Sequence, residues 1–413
     1  QHDSPHVMAV SMPNTTPSPR FGVRFMVSQQ PSRSLTGLAL LSLVAAAAPA
    51  QDPPQRPPDA VPIEPSSAPN APDEGHEPDV FAQLLAGQQQ ERQYGSSLLM
   101  VGIHGFLDFQ YVDPDTAASE FDLHHANLFI SGMISEQLEA HVEVEYEHAS
   151  ESIELDQAEI RYRPFATHDL TLAAGRFYAP FGIERRTWYP SNRPSVSRPA
   201  VFEQVVPGNW YETGIRGDYQ RRLGAVDLRA ELAVTNGLGP TAATDIRAAR
   251  QTRDADGSRA VIGRLGAAIA DGPAFGLSAA TMKYDGAHDI GFLGLDLEQQ
   301  FGPVLLRGEW VGSEVEDPAG PAGDFRRSGL YVLGSCRVWE TDLQSLDLWL
   351  RYGRVDPNSG VDDGNDVETF AVGARFTPTA HLAVKLEYLR QNGLHGIDAT
   401  SPDTFLAQFV VDF

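Results

Sequence analysis

A transmembrane antiparallel β-barrel of about 16 strands is the fold class this sequence predicts. Three observations predict it: an apolar–polar alternation of period two running from Leu98 to Phe413, connections that alternate between short and long, and an export signal upstream. Composition agrees. Apolar residues make up 42 % of the 413 and mean hydropathy is −0.26, and no stretch reaches the ~18–20 consecutive apolar residues of a membrane helix. Barrels escape that test because only alternate residues of each strand face lipid.

Residues 1–50 read as an upstream extension and a signal peptide. Leu35 to Ala48, LTGLALLSLVAAAA, is apolar, follows Arg33 and ends in Ala48-Pro49-Ala50, the layout of a secretory leader. Met26 suits an initiator. Residues 51–78 are rich in proline and acid and cannot bury enough apolar surface to offset chain entropy, so they read as a disordered linker. Residues 79–96 place Phe81, Leu84 and Leu85 at helical spacing and predict a short periplasmic helix. The barrel is expected over 97–413.

Within it, LEAHVEVEYE (138–147) sets Leu138, Ala140, Val142, Val144 and Tyr146 against Glu139, His141, Glu143, Glu145 and Glu147. Strands alternate faces residue by residue, so each set lines one side of the wall. Residues 226–235, 345–355 and 382–391 repeat the pattern. The strands are expected near 98–111, 121–133, 138–148, 153–165, 170–178, 210–220, 225–235, 259–270, 275–285, 289–301, 303–315, 326–338, 345–355, 367–376, 382–391 and 404–413. Short turns such as Leu223-Gly224 and Gly302-Pro303 alternate with longer loops at 112–120, 236–258, 316–325, 356–366 and 392–403, as in outer-membrane barrels. Phe106, Phe109, Tyr111, Tyr162, Tyr219, Tyr284, Trp310, Tyr352 and Phe376 are expected to form aromatic girdles. TFLAQFVVDF, with Phe405, Ala407, Phe409, Val411 and Phe413 on one face, resembles the assembly signal of such proteins.

With apolar residues toward lipid, the charged set lines a hydrated interior: Glu139, Glu143, Glu145, Glu159, Arg161, Arg163, Arg229, Arg307 and Arg351. A barrel this wide holds an aqueous channel. The connection 179–209 is about twice the length of its neighbours, and loops this long tend to be functional. It carries Arg185, Arg186, Arg193 and Arg198 and is stiffened by Pro180, Pro190, Pro194, Pro199 and Pro207. Folded inward it makes a positive constriction that favours small anions.

Other functions are disfavoured. A net charge of −24 opposes a nucleic-acid partner, which requires a basic face. Cys336 alone cannot form an internal disulfide. No G-x-S-x-G elbow occurs, so no hydrolase is expected. His124 and His125 are adjacent, and neighbours on a regular strand point to opposite faces, so no metal site is expected there. No cofactor is implied. Passive diffusion of small hydrophilic solutes is the function these features predict; a structural or adhesive barrel with a closed pore is the alternative.

The opening strand GIHGFLDFQY, the segment LDQAEIRYRPF, the stretch AAGRFYAPFGIERRTWYPSNRPSVSRPA and the final aromatic together resemble the phosphate-selective porins O and P. The resemblance covers about 98–413. Its most specific piece is Gly175-Arg176-Phe177 followed by Pro180-Phe181-Gly182 and Glu184. It implies a 16-stranded, usually trimeric porin of the outer membrane that passes anions along a ladder of arginines and lysines. This chain departs from the pattern in having Lys283 and Lys385 as its only lysines and an acidic inward set on its third strand.

Overall fold

The computed structural model describes residues 100–413 apart from 116, 148–151, 166–168, 184–186, 188, 255, 319, 321–322, 362–364 and 394–402. The leader, linker and helix expected over 1–96, and Arg185 and Arg186, lie outside the described residues.

Sixteen strands follow the predicted alternation. They are β1 (Met100–Pro114), β2 (Glu120–Met133), β3 (Leu138–Glu147), β4 (Ser152–Tyr162), β5 (Leu170–Tyr178), β6 (Tyr211–Leu223), β7 (Val226–Thr235) and β8 (Ala260–Ile269). Then come β9 (Ala274–Lys283), β10 (Asp289–Phe301), β11 (Val304–Val315), β12 (Phe325–Glu340), β13 (Ser345–Asp356), β14 (Val367–Thr379), β15 (Leu382–Gly393) and β16 (Thr404–Asp412). Each pairs antiparallel with its sequence neighbours, and β1 pairs with β16 to close the ring. Among the described residues every strand has a paired neighbour on both sides, so closure leaves no free edge strand. Among the described residues no helix is long and apolar enough to cross a membrane.

The two faces separate as the alternation requires. Leu293, Leu295 and Leu297 of β10 are exposed, whereas Ile290, Phe292 and Asp296 are buried. In β3, Glu143 and Glu145 are buried, with the intervening Val144 half-buried. Exposed Leu, Ile, Val or Phe occur on every strand from β1 to β16 except β3. A belt of this kind is stable only against an apolar medium.

The aromatic girdle holds only in part. Phe109, Tyr162 and Tyr352 are exposed on the outer face. Phe106 instead is buried and packs edge-on to Tyr189 at 5.7 Å. Tyr284 is also buried, its hydroxyl donating to the Glu316 carbonyl at 2.6 Å. Trp310 stands midway along β11, opposite Leu295 and Leu330. Phe106 looks apolar in a strand pattern but occupies an inward position, where a loop and not lipid covers it.

A β-bulge also overturns one sequence expectation. Asp108 pairs with His125 and Phe109 with Leu123, which leaves His124 as the extra residue of β2. An extra residue shifts the alternation by one, so His124 and His125 share the inward face. A second shift between β3 and β4 puts both Asp156 and Gln157 inside.

Phe413 completes the seam. Its amide and carbonyl exchange hydrogen bonds with Gly105 at 3.0 and 2.8 Å, and its ring covers that glycine closely enough that a Cβ would lie 2.7 Å from Cζ. Phe413→Ala is expected to lower barrel stability by about 1 kcal/mol, read as an earlier thermal conversion of the compact species on unheated gels. An unchanged midpoint would mean that the ring adds nothing to closure.

Candidate functional site

The described residues of the 179–209 connection reach across the inside of the ring. Tyr189 donates its hydroxyl to Glu143 of β3 at 3.1 Å, while the Ile183 amide donates to Glu309 of β11 at 3.3 Å. Those strands stand on opposite sides of a sixteen-membered ring, so Ile183 and Tyr189 place described parts of the connection against opposite walls of the lumen. Its local conformation follows from its prolines. Pro190 begins a short 3-10 turn, and Arg193, which precedes Pro194, is held extended at φ −115°, ψ 146°, as a residue before proline must be.

The Pro180-Phe181-Gly182 piece turns the chain inward. Gly182 sits at φ 61°, and its amide donates to Ser278 Oγ at 2.9 Å. A Cβ there would collide with the Glu309 carboxylate, so glycine serves both the backbone geometry and the close approach. Phe181 packs against Trp210 and Phe292, 5.5 and 6.2 Å between ring centroids.

The far side of the loop is latched to β13–β15 by buried charge. Glu387 accepts the Val196 and Ser197 amides at 2.6 and 2.9 Å and the Ser197 hydroxyl. Arg351 donates to the Ser197 carbonyl at 2.7 Å and to Ser195 Oγ at 3.2 Å, and lies 3.6 Å from Glu387. Lys385 donates to the Pro190 and Ser195 carbonyls, and Arg375 to the Ser191 carbonyl at 2.9 Å. Strand alternation predicts Arg351 on a solvated wall. The structure covers it with the loop, where it is 1 % exposed.

Four arginines converge beside this latch. Arg193 and Arg198 from the loop and Arg307 and Arg351 from the wall line one space of ≈ 20 Å³. Two larger cavities flank the loop tip, and Asn192 lines both. One of ≈ 550 Å³ carries Arg307, Arg337 and Arg375 against Glu340 and Asp347. The other, of ≈ 590 Å³, is lined by His104, His141, Gln157, Arg161 and Tyr189.

The remaining predicted lining residues are engaged with polar side chains of the wall. Arg161 pairs with Glu159 and Glu139, and Arg163 with Glu139 at 2.8 Å. Arg229 meets Glu231 at 3.0 Å, Arg307 meets Glu298 at 2.6 Å, and Glu145 lies 3.4 Å from His125. Glu143 accepts from Asn127 at 2.9 Å and from Gln157. Pairs of this kind, along one strand for Arg161–Glu159 and Arg229–Glu231 and between neighbouring strands for Arg307–Glu298, solvate and stiffen a wall.

A second connection, expected as an outer loop over 236–258, also turns inward. Leu238, Ala242, Ile246 and Ala249 are buried with Val201, Phe202 and Val205 of the first loop against Ile262, Met282, Ile290, Val311 and Tyr331 of the wall. Arg327 of β12 fixes it by donating to the Ala242 and Ala243 carbonyls at 2.8 and 2.7 Å. One flank of the interior is therefore an apolar core and not a charged lumen. The sequence carries a signal for this: in β10 the inward set changes from Ile290 and Phe292 to Asp296 and Glu298 along one strand. Apolar residues on both faces mark the half that packs against loops.

Comparison with known proteins places the fold. OmpF from Salmonella typhi, solved with daunomycin, matches with a TM-score of 0.54 at 13 % identity over 76 % of this chain and 97 % of that one. OmpT of Vibrio cholerae, an outer membrane protein solved in a trimer form, gives 0.53 at 11 % over 76 % and 99 %. The anion-selective porin of Comamonas acidovorans gives 0.50 at 16 % over 76 % and 99 %. The chain thus has the fold of bacterial outer-membrane porins. An uncharacterized protein of Aquifex aeolicus (strain VF5) is 31 % identical over 123 residues, which is 28 % of this chain and 28 % of that protein, so the match spans less than a third of that relative. No protein-family model matches the chain.

Proposed function

We propose that this chain is a non-enzymatic porin of the bacterial outer membrane, passing small hydrophilic solutes past the 179–209 loop with a preference for anions, phosphate among them. The observation that carries it is the convergence of Arg193, Arg198, Arg307 and Arg351 on one side of a loop that spans the lumen. Guanidinium groups present forked donors that match the oxygens of phosphate and carboxylate. Fixed positive charge at a constriction favours anions over cations. The exposed apolar belt supports lipid as the surrounding medium, and the fold shared with an outer membrane protein solved in a trimer form supports a homotrimer.

Reversal potentials across planar bilayers under a salt gradient test the preference. Each charge within a few ångströms of a permeating ion in hydrated surroundings is worth up to about 1 kcal/mol. The Arg198→Gln, Arg307→Gln pair is therefore expected to lower the anion-to-cation permeability ratio by roughly fivefold. No change would place the permeation path away from the arginines.

The apolar core formed by both loops favours a second reading, a structural or adhesive barrel with a closed pore. Liposome swelling separates the two. A porin admits sugars, and a plugged barrel does not.

A further inference from the structure

We infer that Asp108, His124 and His125 form a binding site for a divalent transition-metal ion on the inner wall of the barrel. One candidate ligand atom from each lies within 4.8 Å of the other two. A regular strand would turn the two histidines apart; the bulge in β2 turns both inward, beside Asp108 of β1. Their rings meet edge to face at 86°, with centroids 4.1 Å apart.

The surrounding contacts are those that hold a ligating set in place. His124 Nδ1 lies 2.9 Å from Asp122 Oδ2, the kind of carboxylate–imidazole contact that orients a ligating ring. His125 has Nδ1 3.3 Å from Asp108 Oδ2 and Nε2 3.4 Å from Glu145 Oε1, so one nitrogen can ligate while a carboxylate holds the other. Asp108 is fixed by Gln408, whose Nε2 donates to Oδ1 at 2.7 Å, and by Gln110, which donates to Oδ2 at 3.2 Å. The His124 side chain retains 29 % exposure, against 0 % for Asp108, which gives an ion a path from the lumen to a dry carboxylate.

Charge and donor type point to the same class of ligand. Asp108, Asp122 and Glu145 bring three carboxylates to the histidines. Arg193 and Lys385 lie within electrostatic reach of Asp108, but both also face Glu387. Imidazole with carboxylate suits zinc, nickel, cobalt and copper(II) better than magnesium or calcium, which take oxygen donors.

The test uses the full chain folded in detergent, titrated with Co²⁺ by visible absorption and with Cu²⁺ by electron paramagnetic resonance. The expected result is one ion per chain, with hyperfine coupling to two imidazole nitrogens. His124→Gln and His125→Gln should each weaken binding roughly tenfold or more. A His104→Gln, His141→Gln pair should leave binding unchanged, and unheated gel migration shows that each variant is folded. No binding to the unaltered protein, coupling to fewer than two imidazoles, or binding that survives loss of both His124 and His125 overturns the assignment. The resonance measurement needs no substitution, so it decides even where a variant fails to fold.

Discussion

In Glu387→Ala the 179–209 loop is expected to leave its seat in the lumen. That carboxylate holds two loop amides and one hydroxyl and stands beside Arg351. Its removal leaves the Arg351 guanidinium buried without its counter-ion. Breaking a buried pair from one side costs about 3–5 kcal/mol, enough to shift the seated loop toward release by roughly 100-fold or more. Two readouts follow from the geometry. The Val196 and Ser197 amides, whose acceptor is gone, should lose protection from hydrogen exchange. Single-channel conductance should rise, because the segment that crosses the lumen no longer occupies it. Retained protection at both amides with unaltered conductance would show that Arg351, Arg375 and Lys385 seat the loop without Glu387.

Gly175→Ala should prevent the barrel from closing at β4–β5. Gly175 lies at φ 134°, and a Cβ there would come within 2.1 Å of the Ala158 carbonyl oxygen and 2.9 Å of Glu159 Cα. Both obstacles are backbone of the paired strand, which cannot rotate aside. Backbone strain at such a φ costs about 1–3 kcal/mol for a residue with a side chain, and the collision adds to it, for a total of roughly 3 kcal/mol or more. The folded, heat-modifiable species should be reduced or lost. Gly102→Ala is the control, since nothing lies within 4 Å of its added Cβ. Equal yields of folded protein from the two variants would remove the steric argument. This glycine opens the Gly175-Arg176-Phe177 stretch, and the close approach gives that position a physical reason.

How much of the site was legible in sequence varies residue by residue. Arg193 and Arg198 stand out as Arg-Pro pairs in a long, locally basic loop, and the structure brings them to Arg307 and Arg351. The Glu387 latch was not legible. Its inward position follows from alternation, but its partners Val196 and Ser197 are about 190 residues away, and alternation carries no information across that distance. The bulge at His124 was hidden for a related reason: a one-residue insertion leaves composition untouched and shows only in the pairing register.

The strands themselves came from the sequence alone. Period-two alternation from β1 to β16, short turns such as Leu223-Gly224, and an apolar face on each ribbon determine a closed sheet with lipid-facing and inward-facing sides. Each of these is a local property of consecutive residues, fixed by the pleat of the strand. Only the tertiary structure decided what fills the ring: two loops that cross or line the lumen, the apolar core between them and β8–β13, the four converging arginines, and the paired histidines beside Asp108. Those features depend on which inward positions of distant strands meet a loop, and a closed barrel brings residues from opposite sides of the ring together only after it has folded.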